Sequence, residues 1–103
     1  MKAIIENKLY DTEKSEKIFD YLRNEPQPVF WSNTITMHCW RNIDIYKTRK
    51  NSYFLHIHTG DKEEKFMDLE ERIELITEKE VKKIILKLDV DKYIKMYGNV
   101  EEG

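Results

Sequence analysis

The stretch "IYKTRKNSYFLHIHTG" (residues 45–60) decides the fold of this chain, because it has the pattern of two strands joined by a tight turn. Both halves are rich in β-branched and aromatic residues, which favour strands. Lys50 and Asn51 form the predicted turn, since asparagine tolerates the left-handed backbone conformation that turns use. The sequence therefore predicts an antiparallel hairpin, and the rest of the fold is built outward from it.

Aliphatic and imidazole side chains alternate along the second strand of this hairpin. Successive side chains of a strand point to opposite faces of the sheet. One face then carries Tyr53, Leu55, Ile57 and Thr59, and the other carries Phe54, His56 and His58. We expect the aliphatic face to be buried and the histidine face to meet solvent or another macromolecule. If the chain turns at residues 50 and 51, the two histidines lie opposite Ile45 and Ile43.

The N-terminal segment predicts a small hairpin followed by a helix. In "KAIIENKLYDT" (residues 2–12), Asn7 suits a tight turn between two short apolar groups. In "DTEKSEKIFDYLRNEP" (residues 11–26), polar residues that can cap a helix precede an apolar stripe, and Pro26 would end the helix. The stripe consists of Ser15, Ile18, Phe19 and Leu22.

One further segment predicts a strand, and another is ambiguous. Residues 34–48 are rich in β-branched and aromatic side chains, which indicates a long strand. Its alternation slips near residues 39–42, and this slip indicates a bulge or a break. The segment of residues 66–76 is ambiguous, because its pattern fits either an edge strand around residues 72–76 or a short helix.

The C-terminal segment predicts a pair of helices. Thr77 followed by Glu80 forms a capping box. The first apolar stripe consists of Val81, Ile84, Ile85 and Leu88, and the second of Val90, Tyr93, Ile94 and Tyr97. The two stripes would lie on opposite sides of one straight helix, so we expect a break at Asp89 and an end at Gly98. The fold class that follows is a single α+β domain over residues 1–103. In it a small antiparallel sheet packs against an N-terminal helix and a C-terminal helix pair.

Composition restricts the class of function. The chain has 18 basic and 20 acidic residues among 103, and its net charge of -2 argues against a general nucleic-acid binder. The single cysteine, Cys39, can form no internal disulfide, which indicates a reducing compartment. No apolar run approaches the ~20 residues that a membrane span needs. We therefore expect a cytoplasmic protein with no membrane partner.

The spacing of His56 and His58 raises the question of a metal site. Two imidazoles on one side of a strand can chelate zinc if a third ligand reaches them. The candidates for this ligand are His38, Cys39, Asp61, Glu63 and Glu64. The expected pairing places His38 and Cys39 too far along the partner strand, and the spacing matches no known zinc motif. The interpretation we favour is two histidines on a solvent face, with no metal and no cofactor. A metal-dependent enzyme using both histidines is the alternative.

The sequence contains no catalytic signature. His38 and Cys39 are adjacent in a predicted strand, so their side chains point to opposite faces and cannot form a nucleophilic pair. No glycine-rich phosphate loop is present, and no carboxylate stands in an apolar setting that would raise its pKa. We therefore expect no catalytic residues.

The central hairpin is basic and aromatic, and such a surface can bind a partner. Aromatic and arginine side chains carry much of the binding energy in protein interfaces. The predicted partner-binding residues are Tyr46, Arg49, Lys50, Tyr53 and Phe54, with Trp31 and Trp40 as candidate anchors. The same residues could stack bases and hold phosphates, which leaves a small nucleic-acid-binding or RNA–protein accessory module as the alternative. The negative net charge disfavours free nucleic acid as the partner.

Three segments resemble a family of small proteins of phages and mobile elements in Gram-positive and related bacteria. They are "KLYDTEKSEKI" (residues 8–18), "YKTRKNSYFLH" (46–56) and "ITEKEVKKIILKLDVDKYIKMYG" (76–98). Some members of that family look like anti-CRISPR proteins, which block Cas nucleases. The resemblance implies a non-enzymatic inhibitor in the bacterial host cytoplasm. Its implied partner is a CRISPR effector nuclease or the guide-RNA complex of that nuclease.

Overall fold

The computed structural model describes residues 1–28, 34–59 and 71–98. They form six strands, one 3₁₀ turn (Thr12–Lys14) and two α-helices. The strands are β1 (Lys2–Ile5), β2 (Lys8–Asp11), β3 (Glu16–Pro28), β4 (Thr36–Lys47), β5 (Tyr53–His58) and β6 (Arg72–Ile76), and the helices are α1 (Glu78–Leu88) and α2 (Val90–Tyr97). The predicted α+β class is confirmed, with an antiparallel sheet and a C-terminal helix pair.

The architecture is a four-stranded antiparallel sheet with a cover on each face. The strand order is β3-β4-β5-β6, and β1 and β2 form a separate hairpin. We call the side that packs against α1 and α2 the helix face. The opposite side packs against the β1–β2 hairpin, and we call it the hairpin face. Every strand of the sheet therefore contributes alternate side chains to two different environments.

The helix face holds the larger apolar core. Its buried residues are Ile43, Ile45, Tyr53, Leu55, Ile57, Val81 and Ile85. Five of these side chains come from β4 and β5 and two from α1, as the predicted apolar stripe of α1 requires. Partly buried aromatic residues of β3 and α2, among them Phe19, Tyr21 and Tyr93, close the rim. This face supplies most of the apolar burial in the described part of the chain.

The hairpin face holds a smaller aromatic core. Phe54 is fully buried there beside Tyr10 and Ile73. The Tyr10 ring meets the Phe54 ring edge-on at 5.7 Å, and the Tyr46 ring stacks on Phe54 at 5.2 Å. The β1–β2 turn follows the prediction, because Glu6 and Asn7 both have positive φ, the geometry of a two-residue hairpin turn. The histidine face of β5 is thus partly covered rather than wholly open to solvent.

The predicted N-terminal helix is wrong, because residues 16–28 form β3. The apolar stripe that suggested a helix also fits a strand, since Phe19 and Tyr21 alternate with the exposed Asp20 and Leu22. Pairing with β4 along its whole length outweighs the local helical pattern. A β-bulge between Lys17 and Phe19 disturbs the alternation at the start. Pro26 fits because β3 is an edge strand, where a missing N–H is tolerated.

The slip predicted near residues 39–42 does not appear as a break in β4. Its pairing with β3 is continuous from Thr36 to Ile45. The alternation seemed to slip because Arg41 takes an inward position and is fully buried, whereas Trp40 points outward and is 63% exposed. A charged residue inside and a tryptophan outside reverse the pattern that residue type suggests.

The central hairpin is confirmed, but its register differs from the prediction by one residue. The loop has three residues, 49–51, because Thr48 accepts a hydrogen bond from Asn51 N and its N–H donates to Ser52 O. Asn51 has φ 63°, the left-handed residue that ends such a loop. The added loop residue places His56 opposite Asp44 and His58 opposite Asn42, instead of opposite Ile45 and Ile43.

The C-terminal helices follow the sequence prediction. Thr77 caps α1 by accepting a hydrogen bond from Glu80 N at 3.2 Å. Asp89 ends α1 and caps α2 through a hydrogen bond from Lys92 N at 3.0 Å. Gly98 ends α2 with φ 56°. The ambiguous segment at 72–76 is β6, an edge strand of the sheet.

The β3–β4 ribbon extends past the rest of the sheet. β5 pairs with β4 only from Asn42 to Lys47, whereas β3 pairs with β4 as far as Thr36. We call residues 22–28 and 36–42 the arm. Among the described residues, the part of the arm before Asn42 is two-stranded.

Candidate functional site

A cluster of one carboxylate and two imidazoles lies on the hairpin face. We call Asp44, His56 and His58 the histidine cluster. His58 Nε2 lies 2.8 Å from Asp44 Oδ2, and His56 Nδ1 lies 3.9 Å from the same oxygen. The two imidazole rings stack with their centroids 4.6 Å apart. One donor atom from each of the three residues therefore falls within 4.8 Å of the others.

Strand pairing sets the positions of these three side chains. Asp44 and His56 are direct partners across β4 and β5, and His58 follows His56 by one strand period. The intervening Ile43, Ile45 and Ile57 are fully buried on the helix face. A slip of one residue would move these isoleucines out of the core, so burial on one face fixes the cluster on the other.

Glu71 holds the outward nitrogen of His56. His56 Nε2 donates a hydrogen bond to Glu71 Oε1 at 2.6 Å, while Nδ1 of the same ring faces Asp44. This hydrogen bond keeps the pKa of the Glu71 carboxyl below its usual value. Glu71 directly precedes β6, so its contact with His56 links the histidine cluster on β4 and β5 to the start of β6. The contact orients the imidazole and leaves Nδ1 directed at the other two residues.

The cluster is shielded but accessible from one side. The side chains of His56, Asp44 and His58 are 13%, 14% and 29% exposed. Burial, together with the Asp44 charge, raises the pKa of Tyr46, whose ring centroid lies 6.4 Å from that of His56. A surface cavity of about 300 Å³ adjoins Asp44 and His58. The remaining residues that line it are Lys17, Asp20, Tyr21, Leu22 and Asn42. A small ligand or water therefore has a route to the cluster.

Chemically, the cluster offers two imidazole nitrogens and one carboxylate oxygen. Such a donor set suits a divalent transition-metal ion, and without an ion the same groups form a hydrogen-bonded network. Among residues 1–28, 34–59 and 71–98, no second group of three histidine, cysteine or acidic residues is compact enough to hold an ion.

The sequence prediction did not identify Asp44 as a candidate ligand. The register error placed isoleucines opposite the histidines, which hid the carboxylate. A three-residue loop ending at Asn51 is the signal that would have found it. Of the ligands that were considered, His38 and Cys39 lie in the arm, where His38 Nδ1 is 2.8 Å from Asn24 Oδ1. The other three, Asp61, Glu63 and Glu64, lie outside the described residues.

The predicted partner-binding residues separate into three groups. Tyr53 and Phe54 are buried on opposite faces of the sheet, and Tyr46 is half-buried against Phe54. Arg49 and Lys50 are exposed at the tip of the hairpin, and Trp40 is exposed on the arm. Trp31 lies outside the described residues. The structure thus leaves the hairpin tip and the arm as the accessible parts of the predicted surface.

Basic side chains surround a cavity beside the hairpin tip. This cavity of about 500 Å³ lies between the β1–β2 hairpin and the β4–β5 loop. Its charged lining includes Lys8, Lys14, Arg49 and Lys50, with Asp11 as the acidic member. Asp11 is 4% exposed and accepts a hydrogen bond from Glu13 N. Four cations and one carboxylate line this cavity, so it is basic.

An ionic cluster lies on the helix face at the base of the arm. Glu25 accepts hydrogen bonds from Arg23 and from Arg72, and the Arg72 contact is 3.1 Å long. Arg72 Nε also donates to Glu74 Oε1 at 2.9 Å. Burial by itself would raise the pKa of Glu25, but the hydrogen bonds and charges of the two arginines outweigh it and lower the pKa. These contacts tie β3 to β6 across the sheet, which is a structural role.

Comparison with protein-family models, with curated proteins and with solved structures gives no match. Neither described helix has the length and apolar character needed to cross a bilayer.

Proposed function

We propose that this protein is a non-catalytic inhibitor that binds a bacterial defence nuclease, a CRISPR effector or its guide-RNA complex, with fixed stoichiometry. The observation that carries the binding role is the exposure of Trp40 and Leu22, which are 63% and 60% accessible on the same side of the arm. The class of partner follows from the family resemblance of the three sequence segments described above.

The register of the ribbon supports a continuous apolar contact. Trp40 pairs with Asn24, and Leu22 pairs with Asn42, so the two apolar side chains are diagonal neighbours on one face. Diagonal pairs in antiparallel strands are about 7–8 Å apart at Cα, within reach of a large aromatic ring. Tryptophan is enriched among the residues that dominate protein interfaces, and exposed apolar patches mark interaction sites.

The size of the chain also fits this role. A stable interface buries about 800 Å² on each partner. The accessible surface of the protein is 7875 Å², so such an interface would use about a tenth of it. The exposed tip residues Arg49 and Lys50 would add charge that steers encounter with an acidic or nucleic-acid-bearing partner.

The direct test combines co-purification with a panel of CRISPR effectors and a DNA-cleavage assay. We expect the wild-type protein to be retained by one effector and to inhibit it at a 1:1 ratio. Trp40→Ala should weaken binding about 30-fold, the loss typical of a dominant interface residue at about 2 kcal/mol. Leu86→Ala, at another exposed apolar residue (46% accessible), is the matched control and should bind normally. Retention by no effector, or unchanged binding by Trp40→Ala, would contradict the proposal.

A second candidate function is binding of a nucleic-acid backbone in the basic cavity. Its support is the placement of Lys8, Lys14, Arg49 and Lys50 around one space of about 500 Å³. Phosphate contacts of this kind release counterions, so affinity would fall steeply as salt concentration rises. A double variant, Lys14→Glu with Lys50→Glu, should then abolish binding to single-stranded RNA or DNA, while Trp40→Ala leaves it unchanged. Binding that is insensitive to salt would count against this candidate.

A further inference from the structure

One donor atom from each residue of the histidine cluster lies close to the other two. Asp44 Oδ2 faces both imidazoles, at 2.8 Å from His58 Nε2 and 3.9 Å from His56 Nδ1. The three ligand atoms come from two paired strands whose backbones are fixed by buried isoleucines on the other face. A preorganised set of this kind loses little conformational freedom when it binds an ion.

We propose that Asp44, His56 and His58 bind a divalent transition-metal ion, with Zn²⁺ as the preferred ion. His56 Nδ1, His58 Nε2 and one Asp44 carboxylate oxygen are the three protein ligands. Imidazole with carboxylate suits zinc and its neighbours, whereas Mg²⁺ and Ca²⁺ prefer sites made of oxygen ligands alone. This proposal does not rest on the proposed inhibitor function.

The two distances from the Asp44 carboxylate to the imidazoles require only small movements to accept the ion. Zinc bonds of about 2.0–2.2 Å in tetrahedral geometry separate neighbouring donor atoms by about 3.3 Å. The 2.8 Å contact between His58 and Asp44 would open by about 0.5 Å, and the 3.9 Å contact between His56 and Asp44 would close by about 0.6 Å. Side-chain rotations supply movements of this size without a change in strand register.

Glu71 supplies the outer contact that metal-bound histidines usually make. A ligating imidazole commonly donates its second N–H to a carboxylate, which fixes the tautomer and orients the ring. The hydrogen bond from His56 Nε2 to Glu71 Oε1, at 2.6 Å, has that geometry and leaves Nδ1 free to bind the ion. The arrangement therefore includes both a set of ligands and the carboxylate that orients one of them.

The adjoining cavity leaves room for a fourth, non-protein ligand. A space of about 300 Å³ opens beside Asp44 and His58. Zinc sites with three protein ligands complete their coordination with water or a bound anion. Lys17 and Asp20 line the same cavity as an ion pair, with 3.7 Å between the ammonium and the carboxylate.

The first test measures binding of Zn²⁺ to the purified full chain after treatment with a chelator. Titration calorimetry should show one ion per chain and no saturable binding of Mg²⁺. His56→Gln, His58→Gln and Asp44→Asn should each reduce affinity at least 100-fold, and Glu71→Gln should reduce it about 10-fold through ring orientation.

Two matched controls separate this site from general effects of losing a histidine or a carboxylate. His38→Gln removes the third histidine, which lies in the arm, and Asp91→Asn removes an exposed carboxylate of α2, which lies on the helix face. Both controls should bind Zn²⁺ within about twofold of the wild type, because neither residue is a ligand. Equal loss of affinity in His38→Gln and His56→Gln would overturn the proposal.

A second measurement uses only the wild-type chain and so does not depend on the folding of any variant. Addition of Zn²⁺ should shift the ring resonances of His56 and His58 in NMR spectra and leave those of His38 unchanged. Co²⁺ should give the visible absorption of a site with nitrogen and oxygen ligands. Absence of a saturable shift at His56 and His58 would refute the metal site, whatever the outcome of the nuclease experiments.

Discussion

The helix face and the hairpin face are built from alternate residues of the same strands, yet their chemistry differs sharply. On the helix face, Ile43, Ile45 and Ile57 are fully buried against α1. On the hairpin face, the residues that alternate with them along the strands are Asp44, His56 and His58. The aliphatic side fixes strand register and supplies stability, which lets the other side hold ionisable groups close together. In this sheet the position of the polar cluster is a consequence of apolar packing one residue away.

The largest expected effect comes from a cavity in the helix face. Ile85 is fully buried in α1, so Ile85→Ala should lower the free energy of unfolding by about 2–5 kcal/mol. Ile94→Ala in α2 is the control, because Ile94 is 44% exposed and should change stability far less. Urea unfolding followed by tryptophan fluorescence measures both. Similar values for the two variants would show that the helix face does not carry the stability assigned to it.

The next effect concerns the hairpin face and the ion proposed there. Zn²⁺ at a hundred times its dissociation constant should raise the free energy of unfolding by about 2.7 kcal/mol in the wild type. Asp44→Asn should remove this increment, and Ile85→Ala should retain it, because distant and independent contributions add. Thermal unfolding with and without Zn²⁺ makes the measurement. Loss of the increment in Ile85→Ala would mean that the two faces are coupled.

A third experiment tests the ionic cluster around Glu25, which lies at the polar end of the helix face. Two arginines lower the pKa of Glu25, so its charged form stabilises the fold above the unfolded-state pKa of about 4.3. That contribution is lost as pH falls through the lower folded-state pKa. Glu25→Gln should cost about 1.5 kcal/mol at pH 7, the scale of a hydrogen bond to a charged group, and nothing at low pH.

The control for this variant is Glu16→Gln at an exposed position of the same strand. Its stability should follow that of the wild type at every pH. If the free energies of unfolding of Glu25→Gln and the wild type differ by the same amount at every pH, the arginine contacts are excluded as the source of the pH dependence.

The smallest effect concerns the N-terminal cap of α1. Thr77 accepts a hydrogen bond from Glu80 N at the start of α1. Thr77→Ala should therefore lower the free energy of unfolding by about 1 kcal/mol. Thr36→Ala, at an exposed position on the arm, should have almost no effect. A loss well above that of a single cap would show that Thr77 has a further role in packing.

Local patterns predicted most of the fold, and the errors arose where two patterns overlap. The C-terminal helices, their caps and the two hairpins carry strong local signals, so sequence reasoning located them. Residues 16–28 fit both a helical stripe and a strand alternation, and only the long pairing with β4 decides between them. Such pairing joins residues that are far apart in sequence, so a local pattern does not reveal it.

The candidate site was harder to predict because it depends on loop length. His56 and His58 were recognised from their spacing, but Asp44 enters the cluster only in the observed register. The predicted loop of two residues pairs His56 with Ile45, whereas the observed loop of three residues pairs it with Asp44. The burial of Phe54 was also hidden, since its exposure depends on what the β1–β2 hairpin covers, whereas Tyr53 lies on the face that was expected to be buried.

Asn51, the left-handed residue at the end of the β4–β5 loop, limits which insertions and deletions this loop can accept. After deletion of one codon in this loop, a three-residue loop could form only if β5 advanced by one position against β4. The isoleucines and the histidines would then exchange sides, so both cores would be lost in one step. Point substitutions at the exposed Arg49 and Lys50 carry no such penalty. Substitutions at this tip therefore leave the fold intact, whereas insertions and deletions in the loop should disrupt it.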